Sequence, residues 1–448
     1  MPLTILTDCD VRHLLLSFTR EDILELQQSL ADALHFYSSS TEDNGCCSAN
    51  QPERTSLRRK DGSTTLFMPA SSIDNMGVKV VTLSTPTDIP TRSLDGLSIS
   101  SSSPRPSLSS SSTRSSSTAV SSTPPPSVAS MDSTTPRGSL SLFDSTGTPR
   151  GLINAEELTA FRTALASVML FKKRRSVHTV TIFGAGKQAY WHARLALLLR
   201  GPEVHHLNII NRSFDRAKDL FIKLYNPLPD DPDYVNPIGS NYQSKTKGGI
   251  LTPGHGEYQR LLKEQVRDAN VIFCTTPSTE PLFPAGYITN PEGRKKGRYI
   301  ACVGSYRPHM IELHPDILRQ AVAPHHEHRH FHKHQKEGGA VVVDSLTACL
   351  KESGEIIQAK LKPDEVVELG ELLMLRREAE KWKAEGKKEH GEEINGVQVA
   401  GDEGLKEWLT KGNVIYKSVG LGLMDVVVGS ELVRMADERG IGTRVENF

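Results

Sequence analysis

The sequence predicts an α/β fold, a parallel sheet wrapped by helices. Three observations carry that expectation. From Val177 onward, short apolar runs alternate with segments whose apolar residues recur at helical spacing. One such run, Val177-His178-Thr179-Val180-Thr181-Ile182-Phe183, leads straight into the glycine turn Gly184-Ala185-Gly186-Lys187-Gln188-Ala189. Behind the turn, Ala189, Ala193, Ala196 and Leu197 give a helix its apolar stripe.

In chain order, Leu3-Thr4-Ile5-Leu6 reads as a strand. Thr19 to Tyr37 reads as a helix, because Ile23, Leu24, Leu26, Leu30 and Leu34 share one helical face. The valine-rich Gly77 to Leu83 is a second strand. After the first α/β run come Ala189 to Leu199 (helix), Leu207 to Ile210 (strand) and Phe214 to Tyr225 (helix). The strands Val271 to Thr275, Tyr299 to Val303 and Ala340 to Val343 complete the pattern.

The 448 residues give room for two domains, and 37% hydrophobic with 24% charged residues is a globular composition. Lysine plus arginine and aspartate plus glutamate number 53 each, so no net field draws the chain to nucleic acid or anionic lipid, and small molecules are the expected partners. Cys9, Cys46, Cys47, Cys274, Cys302 and Cys349 are scattered without a CxxC pair, which argues against a disulfide scaffold or a zinc site. No signal-like apolar stretch follows Met1, and apolar runs such as Ala340 to Val343 fall far short of the roughly 20 residues of a bilayer span. The expectation is a soluble, cytoplasmic protein with no membrane contact.

Three stretches break the composition. Residues 91–139 are dominated by serine, threonine and proline, too poor in apolar side chains to offset their ordering entropy, and are expected to be a disordered insert. Pro324 to Lys336 carries His325, His326, His328, His330, His332 and His334, which read as a mobile loop rather than a metal site because no cysteine or acidic cluster completes a ligand set. Residues 376–409 alternate lysine and glutamate, as an exposed helix with i to i+4 pairs followed by a loop would.

The glycine turn is the strongest chemical signal. Gly184 permits the tight turn, Gly186 removes a Cβ that would block a pyrophosphate, and the small Ala189 lets the helix pack close to the sheet. The helix N-terminus, with Ala185 and Gln188 beside it, then offers free amides to phosphate. This is the pattern of a Rossmann dinucleotide-binding unit. The next strand ends Asn211-Arg212-Ser213, without the acidic residue that accepts a ribose 2′-hydroxyl in NAD sites; a guanidinium and a hydroxyl suit a 2′-phosphate. The expected cofactor is therefore NADPH rather than NADH. The bland alternative stays open: Ser213 caps the following helix and Arg212 is a solvated charge.

The chain resembles the ornithine cyclodeaminase and mu-crystallin family. The matching text is Phe67-Met68-Pro69-Ala70, Gly77-Val78-Lys79, Leu158 to Ala164, the glycine turn, Val303-Gly304-Ser305, and Tyr416-Lys417-Ser418-Val419-Gly420 leading to Asp425. The resemblance implies an α+β substrate-binding and dimerising domain formed by both chain ends, here 1–90, 140–175 and 410–448, around a Rossmann domain at 176–375. It implies a homodimer. It also places substrate-carboxylate arginines at Arg54 and Arg162 and an active-site lysine at Lys79, and it brings Thr275, Val303, Ser305, Ser418 and Gly420 near the nicotinamide.

That trio makes physical sense. Two guanidiniums grip a carboxylate and fix the neighbouring carbon, while a lysine in an apolar strand has its pKa lowered toward the range of a proton donor. Each residue keeps a plain alternative: Arg54 as part of a basic surface run with Arg58, Arg59 and Lys60, Arg162 as a structural ion-pair partner, Lys79 on the solvent face of its strand. Asp344-Ser345 and Asp425 read equally as helix caps or first-turn carboxylates. Tyr306 and Tyr416 are candidate pocket walls or ordinary packing.

The cyclodeaminases of the family hold their substrate's distal amine with carboxylates, at positions where this chain has Leu66 and Tyr306. A buried ammonium there would lack its partner, at a cost of several kcal/mol. The sequence therefore points to an NADPH-dependent reductase of small cyclic ketimine or keto carboxylates. Ornithine cyclodeamination, amino-acid dehydrogenation and non-catalytic NADPH-dependent ligand binding remain as alternatives.

Overall fold

A computed structural model of the chain describes residues 2–39, 51–60, 62–83, 137–231, 234–238, 245–323, 340–373, 393–394, 397–398 and 402–448. The histidine-rich stretch 324–336 lies outside them, as do residues 91–136 and most of 376–409.

The first half builds β1 (Leu3–Leu6), α1 (Asp8–Ser17), α2 (Arg20–Ser39), β2 (Thr55–Arg58), β3 (Thr64–Ser71), β4 (Asn75–Leu83), β5 (Arg137–Asp144), β6 (Pro149–Asn154) and α3 (Ala155–Phe171). Thr7 starts α1 with a capping box: its hydroxyl accepts from the Asp10 amide while the Asp10 carboxylate accepts from the Thr7 amide. Asn154 caps α3 in the same spirit, accepting from the Glu156 amide. Strand β5 begins at Arg137, so the last three residues of the expected insert, 137–139, belong to a strand.

The second half continues with β7 (Thr179–Phe183), α4 (Lys187–Arg200), β8 (His206–Ile210), α5 (Phe214–Tyr225), β9 (Lys247–Leu251), α6 (Tyr258–Asp268), β10 (Val271–Cys274), α7 (Gly286–Thr289) and α8 (Pro291–Arg294). Then come β11 (Tyr299–Cys302), α9 (Pro315–Val322), β12 (Val341–Val343), α10 (Leu346–Glu352), α11 (Gly354–Ala359) and β13 (Val366–Glu368). A short pair, β14 (Glu393–Ile394) and β15 (Val397–Gln398), precedes α12 (Asp402–Lys411), β16 (Val414–Lys417), α13 (Gly422–Arg439) and β17 (Thr443–Val445). Within 376–409, the start of α12 replaces the end of the expected loop.

Two large sheets result. One has seven strands in the order β17-β1-β6-β5-β4-β3-β2, antiparallel except for β1 against β6. The other has eight parallel strands in the order β13-β12-β16-β11-β10-β7-β8-β9. Its order reverses between β7 and β10, and such a switch point opens a crevice at the carboxyl ends of the strands. The glycine turn leaves β7 there.

The segment 410–448 does not stay with the first sheet as expected. Val414, Ile415 and Tyr416 are buried on both faces of β16, and a strand of that kind fits only inside a covered parallel sheet, here between β11 and β12. The chain then returns: α13 packs on the seven-stranded sheet and β17 pairs with β1. Helix α3 is buried on nearly every side because it lies inside one core cluster reaching both sheets. Phe161 of α3 meets Trp191 of α4 edge to face at 5.2 Å, and the Trp191 indole donates to Glu157 at 2.7 Å. Among the described residues no helix is long and apolar enough to cross a membrane.

Candidate active site

At the glycine turn, Gly184 has φ +111°, and a Cβ there would lie 2.7 Å from the Thr275 Oγ1. Both conformation and space demand glycine. The Thr275 hydroxyl donates to the Phe183 carbonyl at 2.7 Å, locking the end of β10 to the end of β7. Gly186 is the N-cap of α4 and brings no capping side chain; a Cβ built on it meets open space. Gln188 adds a buried Oε1 without a donor among the described residues, and Ala189 is fully buried. Uncapped amides and an open approach fit a dinucleotide pyrophosphate.

A cavity of about 220 Å³ beside the turn is lined by Gly186, Lys187, Tyr190, Arg216 and Lys223. Lys187 is paired there with Glu157, which lines the same cavity, at 2.7 Å and with Glu156 at 3.0 Å, so it ties α4 to α3.

At the end of β8, the Asn211 side chain donates to the Ser213 carbonyl at 2.8 Å, and the Ser213 hydroxyl accepts from the Arg216 amide at 3.3 Å. Ser213 is therefore a helix cap, the plainer of its two readings. Arg212 is exposed and makes no ion pair among the described residues.

Three loops at the carboxyl edge of the sheet are fastened by buried carboxylates. The Glu312 carboxylate accepts from the amides of Thr276 (2.8 Å), Gly304 (2.8 Å) and Ser305 (3.2 Å). Burial pushes its carboxyl up to about 7. Glu355 accepts from the Glu312 amide at 2.7 Å and from the Ser305 hydroxyl, and Lys417 joins them, 3.4 Å from Glu355. Burial works against the Lys417 ammonium, but Glu355 and Glu312 outweigh it and raise its pKa. Val303, at the end of β11, is itself buried and donates its amide to Cys274.

Asp344 does the same for the loop after β16: it accepts from the Ser418 hydroxyl (2.6 Å) and the amides of Gly420 (2.8 Å), Ser345 (3.1 Å) and Val419 (3.3 Å).

That loop delivers the substrate side of the site. Gly420, at φ +95°, sits so close to Arg162 that a Cβ would lie 3.1 Å from Nη2. Arg162 projects from α3 and its Nε donates to Asp425 Oδ1 at 3.1 Å; the Lys79 ammonium donates to the same oxygen at 2.9 Å. Burial alternates along β4, and Lys79 shares the inner face with Gly77, Val81 and Leu83 rather than the solvent face. All three charged groups are at least 96% buried, since Lys79, Arg162 and Asp425 are only 2%, 4% and 0% exposed. Burial lowers the Lys79 pKa to about 8; Asp425 opposes the shift, and Arg162 and Arg54 add to it.

Arg54 approaches from just ahead of β2, half-buried, and its Nε donates to Glu352 at the end of α10 at 3.0 Å; Glu53 next to it pairs with Lys351 at 2.7 Å. The structure thus joins Lys79 and Arg162 on one carboxylate and ties Arg54 to a different one. Tyr416 lies in the core of the sheet, while Tyr306 stacks under Arg307 at 5.7 Å.

The sequence reading gave no role to Glu312, Glu355 and Lys417, and left Asp344 and Asp425 as helix-end residues. Ser345 does cap α10 and Asp425 does lie in the first turn of α13. A signal was available for Asp425: it is the single charge in Leu423-Met424-Asp425-Val426-Val427-Val428, and a lone charge in an apolar run needs a partner. Among the described residues no cluster of three or more histidine, cysteine or acidic groups is placed to hold a metal.

Comparison with known proteins follows the same lines. No family model matches. The chain is 27% identical over 309 residues to a Delta(1)-pyrroline-2-carboxylate reductase of Bacillus cereus, covering 67% of this chain and 71% of that one. It is 26% identical over 240 residues to the mouse ketimine reductase mu-crystallin, covering 53% and 59%. It is also 24% identical over 305 residues to a Dictyostelium discoideum protein named as a cyclodeaminase, covering 67% of this chain and 70% of that one, so the chain is similar to the reductases and cyclodeaminases that its motifs resemble. The same fold is met in the solved Thermococcus litoralis Delta(1)-pyrroline-2-carboxylate reductase in complex with NADH and L-proline, with a TM-score of 0.60, 20% identity, and coverage of 99% of this chain and 100% of that one.

Proposed function

We propose that this chain is an NADPH-dependent reductase of small cyclic imines that carry a carboxylate. The observation that carries the reading is the buried group formed by Lys79 of β4, Arg162 of α3 and Asp425 of α13, beside the loop that follows β16. Two cations share one carboxylate, so the group keeps a net positive charge in a dry setting, which favours one further carboxylate from a ligand. The family relatives named for reduction of pyrroline carboxylate and ketimines support the same chemistry.

In this reading the nicotinamide, when bound, supplies the hydride for the C=N carbon. Arg162, with Arg54 turned from Glu352, holds the substrate carboxylate and thereby the orientation of the ring. Lys79 Nζ carries the proton that goes to the substrate nitrogen. The turn at Gly184, Ala185, Gly186, Gln188 and Ala189 takes the pyrophosphate, and Asn211, Arg212 and Ser213 border the ribose. The free guanidinium of Arg212 favours a 2′-phosphate, hence NADPH over NADH. Thr275, Val303, Ser305, Ser418 and Gly420 edge the nicotinamide pocket. The protein works as a homodimer, as the family resemblance implies, and its free, buried Cys274, Cys302 and Cys349 suit a reducing cytoplasm.

The test follows oxidation of NADPH with a panel of cyclic ketimine carboxylates, beside an ammonia assay with ornithine and NAD. Reduction of one or more ketimines is expected, and Lys79→Ala should abolish it while NADPH affinity stays within about twofold of the native value. Activity with ornithine alone would replace this reading by cyclodeamination, against the missing carboxylates at Leu66 and Tyr306. Tight NADPH binding without turnover of any kind would make the chain a ligand-binding protein.

A further inference from the structure

We propose that Asp425 is the positioning residue of this site: one carboxylate oxygen aims both the Lys79 ammonium and the Arg162 guanidinium, and its charge keeps Lys79 protonated for donation. The inference rests on the reading of Lys79 as the proton donor.

The geometry behind it is a convergence of three elements that share no local sequence. Lys79 comes from β4, Arg162 from α3 and Asp425 from the first turn of α13, and both bonds end on Oδ1, at 2.9 and 3.1 Å. The second oxygen, Oδ2, is buried without a donor among the described residues, so the carboxylate is not consumed by the protein around it. It lies in the first turn of α13, next to the unpaired amides at that helix's N-terminus. The charged groups facing Lys79 are Asp425, Arg162 and, farther off, Arg54. Asp425 is the only negative one among them. Without it, two cations would be left side by side in a dry pocket, and the amine, unlike the guanidinium, can relieve that repulsion by losing its proton.

A purely structural ion pair would hold the fold together but leave the proton-donor function untouched, and the two roles separate by experiment. The full chain is labelled with ¹³C at lysine Cε, the Lys79 signal is assigned by its loss in Lys79→Ala, and its titration is followed in the native protein and in Asp425→Asn. The expected result is a Lys79 midpoint lower by about one pH unit or more in Asp425→Asn. The alkaline limb of kcat should move to lower pH by the same amount, and KM for the substrate carboxylate should rise because Arg162 loses the partner that aims it. Asp425→Glu keeps the charge and displaces it by a methylene; it should retain the midpoint and lose about tenfold or more in kcat.

An unmoved midpoint in Asp425→Asn, or a kcat reduced equally at all pH values, overturns the proposal. If Asp425→Asn does not fold, Asp425→Glu decides: native turnover there overturns it. A midpoint that moves in a chain that reduces no imine supports the assignment of Asp425 and sinks the reductase reading, so the two failures are told apart.

Discussion

A lysine whose proton is held only up to about pH 8 sets an upper limit on the working pH of a reductase that needs that proton. In the role proposed for Lys79 the charged form donates the proton, so kcat/KM is expected to stay flat below the limit and to fall tenfold per unit above it, measured in a pH series at fixed ionic strength. The effect on folding has the opposite sense. Burial lowers the folded-state pKa from 10.5 to about 8, the unfolded chain therefore holds more protons in that interval, and the stability contribution of Lys79 improves as pH rises through it. Activity and this part of stability thus move apart on the alkaline side.

Gly420 offers a second check at this scale. Its positive φ strains any other residue and a methyl group would press on Arg162 at 3.1 Å, so Gly420→Ala should displace the guanidinium and raise KM for the carboxylate about tenfold or more, with the affinity for NADPH little changed. Lys79 and Arg162 were readable from short motifs. Their common partner was not, because Lys79 and Asp425 are 346 positions apart and periodicity carries no information at that range.

Among the elements, the parallel sheet was the most readable part. Strand β7, its turn and α4 announce themselves by local pattern alone, and their position in the sheet follows from the switch in strand order. Strand β16 was recognised only as a motif: four residues, Val414 to Lys417, are too few to show a period, and their place between β11 and β12 depends on partners that come earlier in the chain. The buried carboxylates were hidden for a related reason. Glu312 and Asp344 look like surface or capping residues until the loops they fasten are brought alongside.

Asp344 is where this can be measured. Asp344→Ala would leave the amides of Gly420 and Val419 and the Ser418 hydroxyl without their acceptor, so a loss of about 3 kcal/mol in a denaturant titration is expected. The loop carrying Gly420 would slacken as well, and KM should rise in the same variant.

Over the whole molecule, the site belongs to neither sheet. The chain leaves the seven-stranded sheet through α3, builds most of the eight-stranded one, enters its middle a last time as β16, and returns through α13 to close the first sheet with β17. The interleaving has a consequence for how the protein is made. While the chain emerges from the ribosome, the parallel sheet lacks an internal strand until Val414–Lys417 is released, and β11 and β12 have no neighbour on their facing edges. Strand edges of that kind invite pairing with other chains. Synthesis that stops anywhere before residue 414 therefore yields a product with two open inner edges and no Asp425, rather than a working nucleotide-binding half. A chain ending at residue 410 is expected to aggregate on expression and to show no NADPH binding in whatever remains in solution. Residues 414–445 thus act as a completion check: the missing strands of both sheets and the counter-charge of Lys79 arrive together, and a copy stopped before them is expected to have no partial activity to release.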